Sequence, residues 1–212
     1  MEMRASDLSA RLLATENLSV IRARTRTASF DIKSRVLTLP MWKEMTPEIE
    51  DMLVGHEVGH ALYTLDKYIQ PIQEQPKLRS YMNILEDVRI EKLIKRKYPG
   101  LRNSFVKGYR ELLDKDFFST GGCDLNELNF ADRANLYFKG CANQGIRFNP
   151  EESQLVKAID STETYDDVLE VAQLVSAYMK RVIEEQEALK QAMGITDEAP
   201  DEFDEFEEGD DL

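Results

Sequence analysis

The stretch "LVGHEVGHALYTL", residues 53–65, holds both histidines of a 212-residue chain, four positions apart, with a glutamate following the first. The residues ahead of it set a helix start. Thr46 can cap, Pro47 suits the first helical position, and Glu48 and Glu50 face the positive end of the helix dipole. Ile49, Met52, Leu53, His56, His60 and Tyr63 then recur at helical spacing and define one inward face of a helix over about 46–65.

Histidines on an inward face need polar partners, because a buried imidazole without one is costly. Positions i and i+4 lie on one helix face, so both rings can reach a single zinc ion at about 2.0–2.1 Å. Glu57, one step round, is placed to activate a zinc-bound water as general base and to pass the proton to a leaving amine. This is the His-Glu-x-x-His arrangement of zinc peptidases. The bland alternative is a core helix with two satisfied histidines, a chance match expected in about one such chain in a few hundred.

A catalytic zinc site has three protein ligands and an open position. The third cannot be histidine, which excludes the metzincin pattern. Cys123 and Cys141 lie far along the chain on expected loops, so a carboxylate is the natural choice. "NILEDVRIE", residues 83–91, sits on the next long helix, about 77–98, and places Glu86 and Asp87 on the apolar arc of Ile90, Leu93 and Ile94. Glu86 is the first choice of ligand because its side chain is longer. Asp87 would then accept a hydrogen bond from a ligand imidazole, and the two roles are exchangeable. The competing assignment is an internal salt bridge of Arg89 with Glu86 or Glu91.

The rest of the chain reads as α+β, mostly helical. "TASFDIKSRVLTLP" predicts two strands joined at a polar turn near Lys33 and Ser34, within a small sheet over about 18–42. A short helix precedes it at 5–17, and residues 66–77, with Pro71 and Pro76, form a loop. Further helices are expected at 101–118, 125–139, 151–160 and 163–193, giving one domain over 1–194. The last sixteen residues, "DEAPDEFDEFEEGDDL", hold ten acids and no base. Since the whole chain carries −13, the body is only about three charges negative, and the tail over 195–212 is expected to be disordered. No stretch combines basic residues with interleaved aromatics, which argues against nucleic-acid binding. No long apolar run or secretory pattern is present, so the expected location is cytoplasmic.

"VGHEVGHALYT" followed by "MNILEDVRIEKLIKRKYPGL" resembles the metallopeptidase-like domain of a group of phage and bacterial proteins. These carry the domain ahead of an acidic linker and a von Willebrand factor A domain, and they are related to the large cobalt-chelatase subunit of the T type. The likeness covers about residues 25–118. It implies a gluzincin-like (zincin) fold, His56 and His60 as zinc ligands, Glu57 as base and the Glu86–Asp87 pair completing the site. It also implies that the acidic tail is like the start of the linker. Such a chain would be a piece of a longer protein, or a short form working with a separate von Willebrand A-type or ATPase partner in host cytoplasm or virion.

Two functions therefore stand. One is a zinc metalloendopeptidase acting on a peptide or protein substrate. It would need an oxyanion stabiliser such as Tyr109, with Tyr81, Tyr137 and Arg110 as other candidates. "ASFDI" or "RVLTL" would serve as the edge strand that holds an extended substrate. The other is a non-catalytic, metal-stabilised interaction module of a chelatase-like or phage virion assembly. Glu57 favours the enzyme, because a structural metal site has no use for a general base.

Overall fold

The computed structural model describes residues 5–64, 76–140 and 145–193. The loop expected at 66–77 and the acidic tail fall almost wholly outside them. The described chain is mostly helical with one three-stranded sheet, an α+β architecture. Helix α1 (Ala5–Ala14) leads into strands β1 (Ser19–Ala23), β2 (Ser29–Asp31) and β3 (Val36–Pro40). Strands β2 and β3 form the expected antiparallel hairpin. The Asp31 carboxylate fixes its turn by accepting from the backbone amides of Lys33 and Ser34. Strand β3 is central, with β1 parallel on its other side. "RVLTL" is therefore paired along both edges and cannot accept a substrate strand, whereas "ASFDI" lies on an edge strand.

Helix α2 (Pro47–Tyr63) starts as its sequence dictates. Thr46 is extended and its hydroxyl accepts from the amide of Ile49, with Pro47 opening the first turn. The Thr46 hydroxyl also donates to Glu111 on α4 (Leu101–Asp114), tying the cap to a neighbour. Instead of one inward face, α2 is surrounded. It packs against α1, α4, β2, β3 and α3 (Pro76–Lys97), and only Pro47 and Asp51 of its residues are exposed. Gly55 and Gly59 permit this close approach. A Cβ at Gly59 would stand 2.8 Å from Cδ1 of Ile90, and one at Gly55 would meet the Phe105 ring at 3.0 Å.

Two apolar cores result. One joins α1, the sheet, α2 and α4 through Leu18, Leu37, Leu39, Met52 and Phe105. The other gathers the first half of α3 with α5 (Phe130–Phe138), α6 (Pro150–Ser161) and α7 (Tyr165–Ala192) around Leu85, Phe130, Ile159 and Val175. Helix α3 belongs to both, giving Leu85 to one and Ile94 to the other. Between those residues it buries four charged side chains, Glu86, Asp87, Arg89 and Glu91. Charges in such a position must be paired or must bind an ion.

Where α6 turns into α7, Glu163 ties the second core to α3. Its carboxylate takes both arms of Arg96, each at 2.9 Å, and lies 3.3 Å from Lys92. The Arg96 hydrogen bonds, helped by Lys92, lower its pKa to about 2 from the ordinary 4.5. A depressed carboxyl adds stability that is full above pH 4.5 and is lost as pH falls towards 2. The group is half exposed, so solvent screening limits the contribution to about 1 kcal/mol or less. Glu163→Gln should therefore flatten the dependence of the urea midpoint on pH between 4.5 and 2. An unchanged profile would show that the clamp contributes nothing.

Candidate metal centre

The site lies where α2 meets α3. One turn of α2 presents His56 and His60, with ring centroids 4.9 Å apart and planes at 75°. Across from them, Asp87 Oδ1 lies 3.5 Å from Nε2 of His56 and 3.4 Å from Nε2 of His60. Two imidazole nitrogens and one carboxylate oxygen thus converge within 4.8 Å, a group able to hold a metal ion. The spacing can be tested against coordination chemistry. Tetrahedral ligands at about 2.0–2.1 Å from zinc stand about 3.4 Å apart, so both Nε2–Oδ1 separations suit a common ion. Among the described residues this is the one such group of histidine, cysteine and acidic side chains.

Glu86, the first choice from the sequence, is not in it. It is 5% exposed and turns to the neighbouring side of α3, where Arg89 grips it with Nε and Nη2, both at 2.7 Å. This is the internal salt bridge named as the competing assignment. Glu86 still bears on the site at one remove. It accepts from the Thr64 hydroxyl at 2.6 Å, and Thr64 lies 3.0 Å from Nδ1 of His60. With glycine at position 59, Ile90 packs against the backbone of α2, and Asp87 is the acid whose oxygen approaches both rings.

The other ring nitrogens are held from behind. His56 Nδ1 meets Oε1 of Glu91 at 3.0 Å. Glu91 is 3% exposed, accepts from the Tyr109 hydroxyl through the same oxygen, and takes Lys95 Nζ at 3.1 Å on Oε2. Tyr109 is thus committed to Glu91, which argues against its use as an oxyanion stabiliser. Of the alternatives, Arg110 is exposed on α4, and Tyr137 stacks edge-on with Phe138 and Phe148. Tyr81 packs at the margin of the second core. Cys123 is exposed, and Cys141 lies outside the described residues.

Two site residues carried no signal in the motif. Lys139, at the end of α5, places Nζ 3.2 Å from Oδ2 of Asp87. Its residue type and distance along the chain gave nothing to find it by. Glu91 was findable, since it lies one turn beyond Asp87 on the same arc of α3. Glu57 is 5% exposed and close enough for its charge to act on both His56 and Tyr109.

The electrostatics follow from these neighbours. Burial opposes a charge on His56, but Asp87, then the hydrogen bond that Glu91 accepts from it and the charge of Glu57, raise its pKa to about 9. Burial would likewise raise Asp87, yet Lys139, His56 and His60 hold it well below the usual carboxylate range. Glu91 is lowered against its burial by His56, Lys95 and Tyr109. Tyr109 goes far above its ordinary value, first through burial and then through the Glu91 charge. The pocket is therefore a set of anions partnered by imidazole, ammonium and phenol groups.

Comparison with protein-family models, curated proteins and solved structures gives no match, so the functional reading rests on this geometry. No helix among the described residues is long and apolar enough to cross a membrane.

Proposed function

We propose that the chain is a zinc-dependent peptidase-like hydrolase of the zincin type. One observation carries the reading. Two imidazoles and a carboxylate converge as a three-ligand set, and the residue beside the first imidazole is a buried glutamate. The nitrogen-rich donor set suits zinc over calcium or magnesium, which prefer oxygen. Bound there, zinc would polarise a substrate carbonyl and favour deprotonation of a water.

The chain's own residues supply the remainder. His56, His60 and Asp87 fix the ion between two packed helices. Glu57 accepts a proton from the attacking water and returns it to the leaving amine. Lys139 keeps Asp87 ionised and occupies its second oxygen, leaving Oδ1 directed at the histidines. The edge strand β2 offers backbone groups that an extended peptide could pair with.

The test begins with metal content by mass spectrometry, beside His56→Ala. About one equivalent of zinc, lost in the variant, supports the site. Glu57→Gln should then retain zinc and lose about 10²–10⁴-fold in cleavage of a peptide library. Equal cleavage by both proteins would overturn the assignment of Glu57.

A second reading is favoured by Lys139. Its ammonium satisfies Asp87 from within the protein, as Glu91 satisfies His56, so the cluster can also serve as a buried polar network in a non-catalytic interaction module. Purified protein that takes up no zinc would select that reading.

A further inference from the structure

Helix α7 is 28 residues long, but only its first part is packed. There Val168, Ala172, Val175 and Met179 are buried in the second core, spaced alternately four and three residues apart. The same alternation continues through Val182, Gln186, Leu189 and Met193. Val182 still touches the second core, whereas Leu189 is 61% and Met193 65% exposed. Ile183, beside them, is 40% exposed. A strict seven-residue repeat of this kind is a seam for pairing helices. Half of it is used inside the fold, and the other half is presented outside.

We propose that the outer half of this seam, residues 182–193, pairs antiparallel with the same segment of a second copy of the chain.

The segment is complementary to itself in that direction. Setting Val182 against the partner's Met193 puts Gln186 against the partner's Leu189, and the remaining two layers repeat these, as a two-fold interface requires. The positions that flank the seam then set Ile183 against the partner's Lys190 and Glu185 against the partner's Ala192, so no acid opposes an acid.

The direction follows from what lies at each end. A parallel pair would bring both folded bodies to the Val182 end, where each seam already faces its own α3 and α5. It would also send out side by side two stretches that each hold ten acids and no base in sixteen residues. The antiparallel pair puts the bodies at opposite ends. The chain after Met193 then leaves beside the partner's Lys180 and Arg181, two adjacent exposed bases that complement the acids to come. The overlap is about three turns per copy, a small interface of the weak and transient class.

Sedimentation equilibrium of the full chain, in about 0.15 M salt to screen its net charge, tests the inference. Between about 10 µM and 1 mM the average mass should rise from that of one chain towards that of two, as a weak dimer requires. Leu189→Glu puts a charge into two layers of each dimer and should weaken association about 100-fold or more. It should leave the melting temperature of the dilute protein unchanged, because residue 189 is exposed in the single chain. Direction is read by disulfide formation after Cys123 and Cys141 are replaced by serine. Gln186→Cys mixed with Leu189→Cys should give a mixed covalent dimer, and either variant alone should give little. Covalent dimers from each variant alone would mean parallel pairing and overturn the antiparallel assignment. Association unaffected by Leu189→Glu would place the interface elsewhere and overturn the seam. A wild-type chain still single at 1 mM overturns the inference altogether, and a melting temperature lowered by Leu189→Glu in that chain would show the face to be covered within one copy.

Discussion

Metal uptake should survive neutralisation of Glu86 and disappear on neutralisation of Asp87. The two acids are adjacent and similar in burial, and the sequence favoured Glu86 only for its longer side chain, yet their surroundings differ. Asp87 Oδ1 is within 3.5 Å of both imidazoles, whereas both oxygens of Glu86 are taken by Arg89. Asp87→Asn replaces the anionic donor by a weak one and leaves two imidazoles, too few for a stable zinc site. Glu86→Gln keeps an acceptor for Thr64 and for one arm of Arg89, so it should lower stability while retaining about one equivalent of zinc. Equilibrium dialysis followed by mass spectrometry reads both. Zinc retained by Asp87→Asn and lost from Glu86→Gln would restore the ligand assignment first expected from side-chain length.

The second large effect concerns Arg89. Its side chain is 4% exposed. It binds Glu86 through two nitrogens, donates to the carbonyl of Tyr63 at 3.0 Å and to that of Glu163 at 3.2 Å. One side chain thus joins the end of α2, the middle of α3 and the turn before α7. Arg89→Met keeps much of the volume but leaves Glu86 charged, buried and supported by Thr64 alone. Breaking a buried pair in this way costs about 3–5 kcal/mol, read as a fall in the urea midpoint. Removing the stranded charge as well, in Glu86→Gln with Arg89→Met, should recover part of the loss because the substitutions share one interaction. A single variant as stable as the wild type would mean that the pair contributes little.

The reading from sequence succeeded where local chemistry decides. The cap at Thr46 and Pro47, the histidine spacing and the Asp31 turn are all settled within a few residues, and the helices and hairpin they define are present. It left the choice between Glu86 and Asp87 to side-chain length, although neighbours on a helix differ by about 100° in direction. Choosing between them requires knowing which side of α3 faces α2, and how closely. Tyr109 was placed near the site correctly but given a substrate-facing role. Its bond to Glu91 depends on a contact between α3 and α4 that no spacing encodes. Lys139 approaches from the second core, and that core as a separate body was not legible from periodicity. The same holds for α2, whose inward residues were identified but whose enclosure on nearly all sides was not.

Gly59 has a consequence beyond packing. Ile90 lies against a bare stretch of the α2 backbone, and three residues before it on α3 Asp87 reaches both imidazoles, so the hydrocarbon contact works as a stop between the two helices that carry the candidate ligands. A methyl group added at position 59 would stand 2.8 Å from Cδ1 of Ile90, so that end of the side chain would have to move. The contact between α2 and α3 beside the proposed metal centre is therefore adjustable from a residue that is not one of its candidate ligands.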